Sequence, residues 1–341
     1  MSEQQDAYSA AGVNLAAAAA ATAGMKEAIQ ATYGPEVLAG MGAFGGLYDA
    51  AALKKLDRPV IVASTDGVGT KTKVAATMGR WDTVGHDIVN HCVNDILVQG
   101  ATPLFFLDYV ASSRLEPIQI STIVNGIAAA CQALGIPLLG GETAEMPGVY
   151  QEGELDIVGT VIGMVDQGSV IDGRDIQIGD QIIAFPSNGL HTNGYSLARK
   201  VLAGIDWHEG RPVGDLSVGE ALLLPHQCYL AEIRALQAAG VTIKGLAHIT
   251  GGGVIDNLPR ILPAGTAADI HVGSCPVPPI FELIQSEGGI SQADMFQTFN
   301  MGMGMLAVLS SDALEKAHEA LPHAYLVGEI VAGAGKVRLA A

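Results

Sequence analysis

The chain has 341 residues, 49% of them hydrophobic, enough to fill one or two cores, so two domains is the natural expectation. A net charge of −17, with only 18 lysines and arginines, argues against a nucleic-acid surface, which needs clustered positive charge. Forty-three glycines, against an ordinary share of about 7%, gather in short loops and suggest binding loops built from backbone. A phosphorylated small molecule still suits so acidic a chain, because backbone amides and a divalent cation can neutralise it. The four cysteines, Cys92, Cys131, Cys228 and Cys275, have no Cys-x-x-Cys spacing, which disfavours structural zinc and a disulfide framework. The expected setting is soluble and cytoplasmic.

Residues 1–57 read as an N-terminal segment with a Gly-rich stretch at 40–46. Its alanine run, Ala16 to Ala21, follows Glu3 and Asp6 with no basic residue before Lys26, so it is expected to open a helix and not a secretion signal. No apolar run is expected to reach the length of a membrane span. From 58 to 167 strands and helices alternate: strand 60–64, helix 83–99, strand 103–109, helix 117–134, strands near 137–140 and 156–165. The polar, turn-rich segment 167–180 marks a boundary. A second α+β half, 168–341, carries strand 181–186, helices 193–203 and 219–239, strand 243–247, a helix from 255, and strands near 303–309 and 324–331.

Ser64-Thr65-Asp66-Gly67-Val68-Gly69-Thr70-Lys71 follows the β-branched run Val60-Ile61-Val62. A carboxylate at a strand end, then glycines, a hydroxyl and a lysine, can hold a metal–phosphate complex. The segment 85–99 has an apolar helical stripe, and its other face stacks Asp87, Asn90, His91, Asn94 and Asp95. That face has no lysine or arginine of its own, which suits a cation. Gly140-Gly141-Glu142-Thr143 places another carboxylate at a strand end, so Asp66, Asp95 and Glu142 are expected to hold one or two Mg²⁺ ions bridging a polyphosphate if those ends lie together. In the second half, Ser187 to Ser196 is a loop of small donors with Asn193 as expected N-cap, and Thr250-Gly251-Gly252-Gly253 has the same form; either is a phosphate seat or a plain connection. His191 and His248 are acid–base or positioning candidates.

Together, Thr65–Lys71, Val93-Asn94-Asp95-Ile96, Pro103–Tyr109, Gly140–Gly148, His191–Leu197, His248–Gly253 and Thr298–Gly302 resemble the phosphoribosylformylglycinamidine cyclo-ligase (aminoimidazole ribonucleotide synthetase) family. The resemblance runs in order through nearly the whole chain. It implies an α+β fold of two α/β-sandwich-like domains, in a homodimer whose N-terminal sheets pair across the interface, with ATP near it. It also implies a reaction. ATP phosphorylates the formyl amide oxygen of formylglycinamidine ribonucleotide, and the amidine nitrogen closes the imidazole ring of 5-aminoimidazole ribonucleotide as phosphate leaves.

Carried over by position, the resemblance implies Asp66, Asp95 and Glu142 for metal and nucleotide, with Lys26, Gly67, Gly69, Thr70, Lys71, Asn94, Gly140, Gly141 and Thr143 beside ATP. It implies Asp108, Ser187, Asn193, Gly194 and Thr250–Gly253 (Thr250, Gly251, Gly252, Gly253) for substrate, and Asp66, Asp95, His191 and His248 for catalysis. The chain departs from the family at Tyr33, where paired arginines are frequent, at Pro225-His226-Gln227-Cys228-Tyr229, which replaces Pro-Thr-Arg-x-Tyr, and at Gln297, where arginine is common. Arg199, Lys200 and Arg260 are the cations that would take their place. Rival readings are a thiamine-phosphate kinase or selenophosphate synthetase-like enzyme, or a nucleotide-binding paralogue without catalysis. A nicotinamide dehydrogenase lacks its third glycine after the first strand.

Overall fold

The computed structural model describes residues 15–208 and 213–340, so Glu3 and Asp6 lie outside the described residues. The chain divides into two compact units, 1–92 with 103–164, and 93–102 with 165–341. The units divide at 164/165, just before the turn-rich segment 167–180. A short stretch, 93–102, also leaves the first half and joins the second unit. The division passes through one helix, whose apolar periodicity gave no sign of it.

In the first unit, strands β1 (Val37–Ala39) and β2 (Leu47–Tyr48) form a small antiparallel ribbon. The main sheet contains β3 (Pro59–Gly67), β4 (Thr102–Ser112), β5 (Leu138–Glu145) and β6 (Leu155–Asp166), in the order β3-β6-β4-β5. Burial alternates along every residue of β6, so one sheet face is covered and the other is not. The covered face carries Phe106, Ile157 and Val161. Helix Val84–Leu97 starts over this face and crosses helix Pro117–Leu134 where Gly85 meets Gly126; a Cβ on Gly85 would lie 2.4 Å from Ile123 O. The alanine run lies in helix Leu15–Ala31, as expected, and that helix packs against Pro117–Leu134.

Helix Pro117–Leu134 corrects one expectation, since it is long and apolar enough to cross a membrane by length and composition. Its apolar side, including Ile120, Ile123, Ile127 and Cys131, is buried in this unit, as in a core helix. None of the four cysteines forms a disulfide.

The second unit is built on a six-stranded sheet of β7 (Gln181–Pro186), β8 (Gly245–His248), β9 (Thr266–His271), β10 (Met303–Leu309), β11 (Tyr325–Ala332) and β12 (Val337–Ala340). The order is β12-β9-β11-β7-β10-β8, antiparallel except for the β12–β9 pair. All seven residues of β10 are buried, so this strand is the core of the unit. The helix expected over 219–239 is two, Val218–Leu222 and Leu230–Ala238. Pro225, which has no N–H to give to a helix, lies in the intervening break. That break puts His226 and Tyr229 into the interior.

Candidate active-site clusters

The first cluster, in the first unit, forms where β3 ends. Asp66 is exposed and accepts from its neighbour Gly67 N–H at 2.6 Å. His91 Nε2, buried on helix Val84–Leu97, pairs with Asp66 Oδ2 at 2.9 Å and orients the carboxylate. The chain then turns through Gly69, at φ 66°, and Thr70 into helix Lys71–Met78. The carboxylate and adjoining glycine backbone stand in solvent, a hard-oxygen set that fits Mg²⁺. Lys71 is a correction. Its side chain is fully buried and its ammonium donates to Asp87 at 2.8 Å, so it is engaged in the core and not offered to a phosphate. Burial lowers its pKa, against the opposing pull of Asp87.

The second cluster lines a cavity of about 350 Å³ in the same unit. Asp108, Gly140, Gly141, Glu142 and Thr143 share its wall with Met25, Ile29 and the glycine-rich residues 40–46. Parallel pairing sets this grouping, because Asp108 on β4 lies opposite Gly141 on β5 and Tyr109 opposite Glu142. Gly141 is required there, since a Cβ would fall 1.6 Å from Asp108 Oδ1. Burial pushes the Asp108 carboxyl up to about 7, with its own backbone N–H pulling the other way. Asp108, expected on the substrate side, shares its cavity with the Gly-Gly-Glu-Thr strand end. Lys26 is exposed on helix Leu15–Ala31, beside the cavity-lining Met25.

Of the expected one or two Mg²⁺ ions, a single ion shared by Asp66 and Glu142 of one chain does not fit the sheet order. They stand on β3 and β5, the two edges of the sheet, three inter-strand steps of about 4.8 Å apart. Ligand distances of about 2.0–2.1 Å leave one Mg²⁺ unable to take both.

The third cluster lies in the second unit. Asn94 is buried; its Oδ1 accepts from Tyr229 N–H at 3.0 Å and its Nδ2 donates to Gln227 O at 2.8 Å. Asp95 Oδ1 accepts from His248 Nδ1 at 2.8 Å. Both Asp66 and Asp95 therefore have histidine partners, and Asp87 has Lys71. The partners of Asp87 and Asp95, Lys71 and His248, come from outside the helix.

His191 is buried at φ 61° and stacks on His226 with ring centroids 4.1 Å apart. Ser187 Oγ donates to Asn300 Oδ1 at 2.7 Å. Asn193 does not cap its helix. Gly194, at φ 80°, holds that position for Tyr195–Val201 and provides no side-chain cap. The Thr250–Gly253 loop leads into another short helix, Gly253–Asn257, and Asn257 Nδ2 donates to Thr250 O, Gly251 O and Gly253 O at 2.8–3.3 Å. Helices this short contribute little dipole, so any anion held here would rely on loop N–H groups. Asn193 Oδ1 sits against Gly251, 3.4 Å from where its Cβ would be, so the structure does bring the two loops together.

Sequence reading gave no site role to His226, Tyr229 and Asn300, and gave His91 only a place on the polar helix face. His91 was visible on the helix's polar face. His226 stood inside a segment read for the arginine it lacks and not for the imidazole it adds.

Two family descriptions match this architecture: "AIR synthase related protein, N-terminal domain" over residues 48–165 and "AIR synthase related protein, C-terminal domain" over 177–340. The chain belongs to the AIR synthase related family. Among its relatives is a phosphoribosylformylglycinamidine cyclo-ligase of Brevibacillus brevis, 47% identical, with 97% of each chain covered. Another, of the same name, from Geobacillus kaustophilus, is 46% identical over 96% of each. Solved structures share the fold at low identity. E. coli HypE has a TM-score of 0.68 at 19% identity, covering 94% of this chain and 93% of that one. A thiamine-monophosphate kinase from Stenotrophomonas maltophilia has 0.66 at 18%, covering 93% and 95%. A HypE structure determined in complex with ATP has 0.67 at 17%, covering 91% and 88%.

Proposed function

We propose that the chain is an ATP-dependent ligase of purine biosynthesis that converts formylglycinamidine ribonucleotide to 5-aminoimidazole ribonucleotide. The observation that carries this reading is the likeness to cyclo-ligases of that name over 97% of the chain. The terminal phosphoryl group of ATP passes to the formyl amide oxygen, turning a poor leaving group into a good one. The amidine nitrogen then attacks the same carbon, loses a proton, and phosphate departs.

The first unit carries the nucleotide side. Asp66, held by His91, presents carboxylate oxygen to Mg²⁺ beside Gly67, Gly69 and Thr70. When bound, the ion neutralises phosphate charge. Glu142, Thr143 and the Gly140-Gly141 backbone line the cavity as a second nucleotide-side surface.

The second unit carries the substrate side. Asp95 orients His248, which serves as the acid–base group, while Asn193, Gly194 and the Thr250–Gly253 loop present polar and backbone donors to a phosphate. The enzyme acts in the cytoplasm as a homodimer. An apolar sheet face of the first unit supports the dimer: Ile61, Ala63, Phe105, Leu107, Val158 and Ile162 lie opposite the helix-covered face, with Ile61 54% exposed.

A rival, a nucleotide-binding paralogue without turnover, draws on Gln227 and Gln297. Both side chains are neutral amides, and Gln297 donates to Asp256 at 2.6 Å, so neither position supplies a cation. Incubating the protein with ATP, Mg²⁺ and formylglycinamidine ribonucleotide separates the two. The cyclo-ligase reading expects aminoimidazole ribonucleotide with one ADP per turnover. ATP binding without product would hand the chain to the rival.

A further inference from the structure

The cavity of the first unit has apolar walls and one sheltered carboxyl. Met25, Ile29, Val124, Leu138 and Leu139 line it, a surface suited to a flat apolar ring. Gly40, Gly42, Gly45 and Gly46 close one side, so a ring there meets bare backbone. Two carboxyls share the lining: Glu142 is exposed and Asp108 is half-buried. Among the described residues, Asp108 is hydrogen-bonded by its own backbone N–H and by no side chain. No lysine, arginine or histidine lines the cavity, and the nearby Cys131 thiol is kept neutral by its own burial. A polar group so placed has nothing in the chain to read, which leaves it to a ligand.

We propose that, with the nucleotide reading of this cavity as its basis, Asp108 selects adenine over guanine by meeting the amino edge of the base. A protonated carboxyl has one accepting oxygen and one O–H donor. Adenine presents the complementary pair on one edge, its 6-amino group as donor and ring N1 as acceptor. Guanine presents O6 and N1–H there, so the pattern is reversed. Shelter from water holds the proton on Asp108 towards neutral pH, which favours the adenine match. An ionised carboxylate, an acceptor only, would instead suit the N1–H and 2-amino group of guanine. Glu142, exposed on the same wall, is left for the ribose and phosphates.

Full-length protein with Mg²⁺ is titrated by calorimetry with ATP, GTP and the triphosphate of purine riboside, which lacks the amino group. The wild type should bind ATP about tenfold more tightly than either, the scale of one matched base edge. Asp108→Val, checked for fold by circular dichroism, should bring the three affinities within about threefold of one another. Asp108→Asn, whose amide has its own acceptor and donor, should restore the preference for ATP. A merely structural Asp108 would leave the ratios intact. Equal or reversed preference in the wild type, or a preference kept by folded Asp108→Val, overturns the assignment. Assaying the same preparations for aminoimidazole ribonucleotide separates the two failures: product from ATP alongside an unaltered base preference removes only the role of Asp108, whereas no nucleotide binding and no product by the wild type removes the cyclo-ligase reading with it.

Discussion

The two units put the same residue types to different uses. In the first, the buried charges are Lys71 and Asp87, while Asp66 and Glu142 stand in solvent at the strand ends. In the second, three imidazoles are buried beside one ion pair, Asp180 with Lys244, and Asp95, its side chain 28% exposed, is held by one of those imidazoles. Asp87 and Asp95 lie about two turns apart on one helix, yet the first neutralises a core lysine and the second aligns a histidine. A carboxylate's task is set by its partner and its access to water, and the position on the helix face only makes it available.

The strongest way to break this contrast is Asp95→Asn. If Asp95 aligns an acid–base histidine, turnover should fall by about 10²–10⁴-fold, with thermal unfolding near that of the wild type. Undiminished turnover would place Asp95 with Asp87 as a structural group. Next in size is Lys71→Met, which leaves Asp87 charged in the core without its cation and should cost about 3–5 kcal/mol in urea unfolding. Lys71→Met combined with Asp87→Leu should recover much of that loss; a single variant as stable as wild type would show that the pair is not a buried one.

The smallest effect sharpens the contrast through pH. Burial raises Asp108 from 3.8 to about 7, so between those values the folded chain keeps a proton that the unfolded chain has released. Stability from this group is complete below about 4, declines as pH rises towards about 7, and is level above. Asp108→Asn should flatten that decline in pH-dependent denaturant titrations. An unaltered slope would remove Asp108 as its source.

Much of the scaffold was legible because periodicity and local chemistry agreed. Helix Pro117–Leu134 and strand Gln181–Pro186 have the bounds that their apolar patterns predict. The unpredicted elements depend on distant partners. Strand Thr266–His271 is rich in small alanines, and the four residues Val337–Ala340 are a strand because Ala268 to His271 pair with them. The site was half legible in the same way. Asp66, Asp95 and Glu142 were visible as strand-end or helix-face carboxylates, but His91, His248 and the opposite sheet edges that decide their company come from folding. His226 reaches the interior only because the chain leaves helical form around Pro225.

Asn257 has a consequence for affinity. With one amide tied to three carbonyls of residues 250–253, that glycine-rich stretch is fastened before any ligand arrives. A tripeptide of glycine would ordinarily forfeit more backbone freedom than any other sequence on becoming ordered. Here that loss is borne during folding, so an encounter at the loop begins without it.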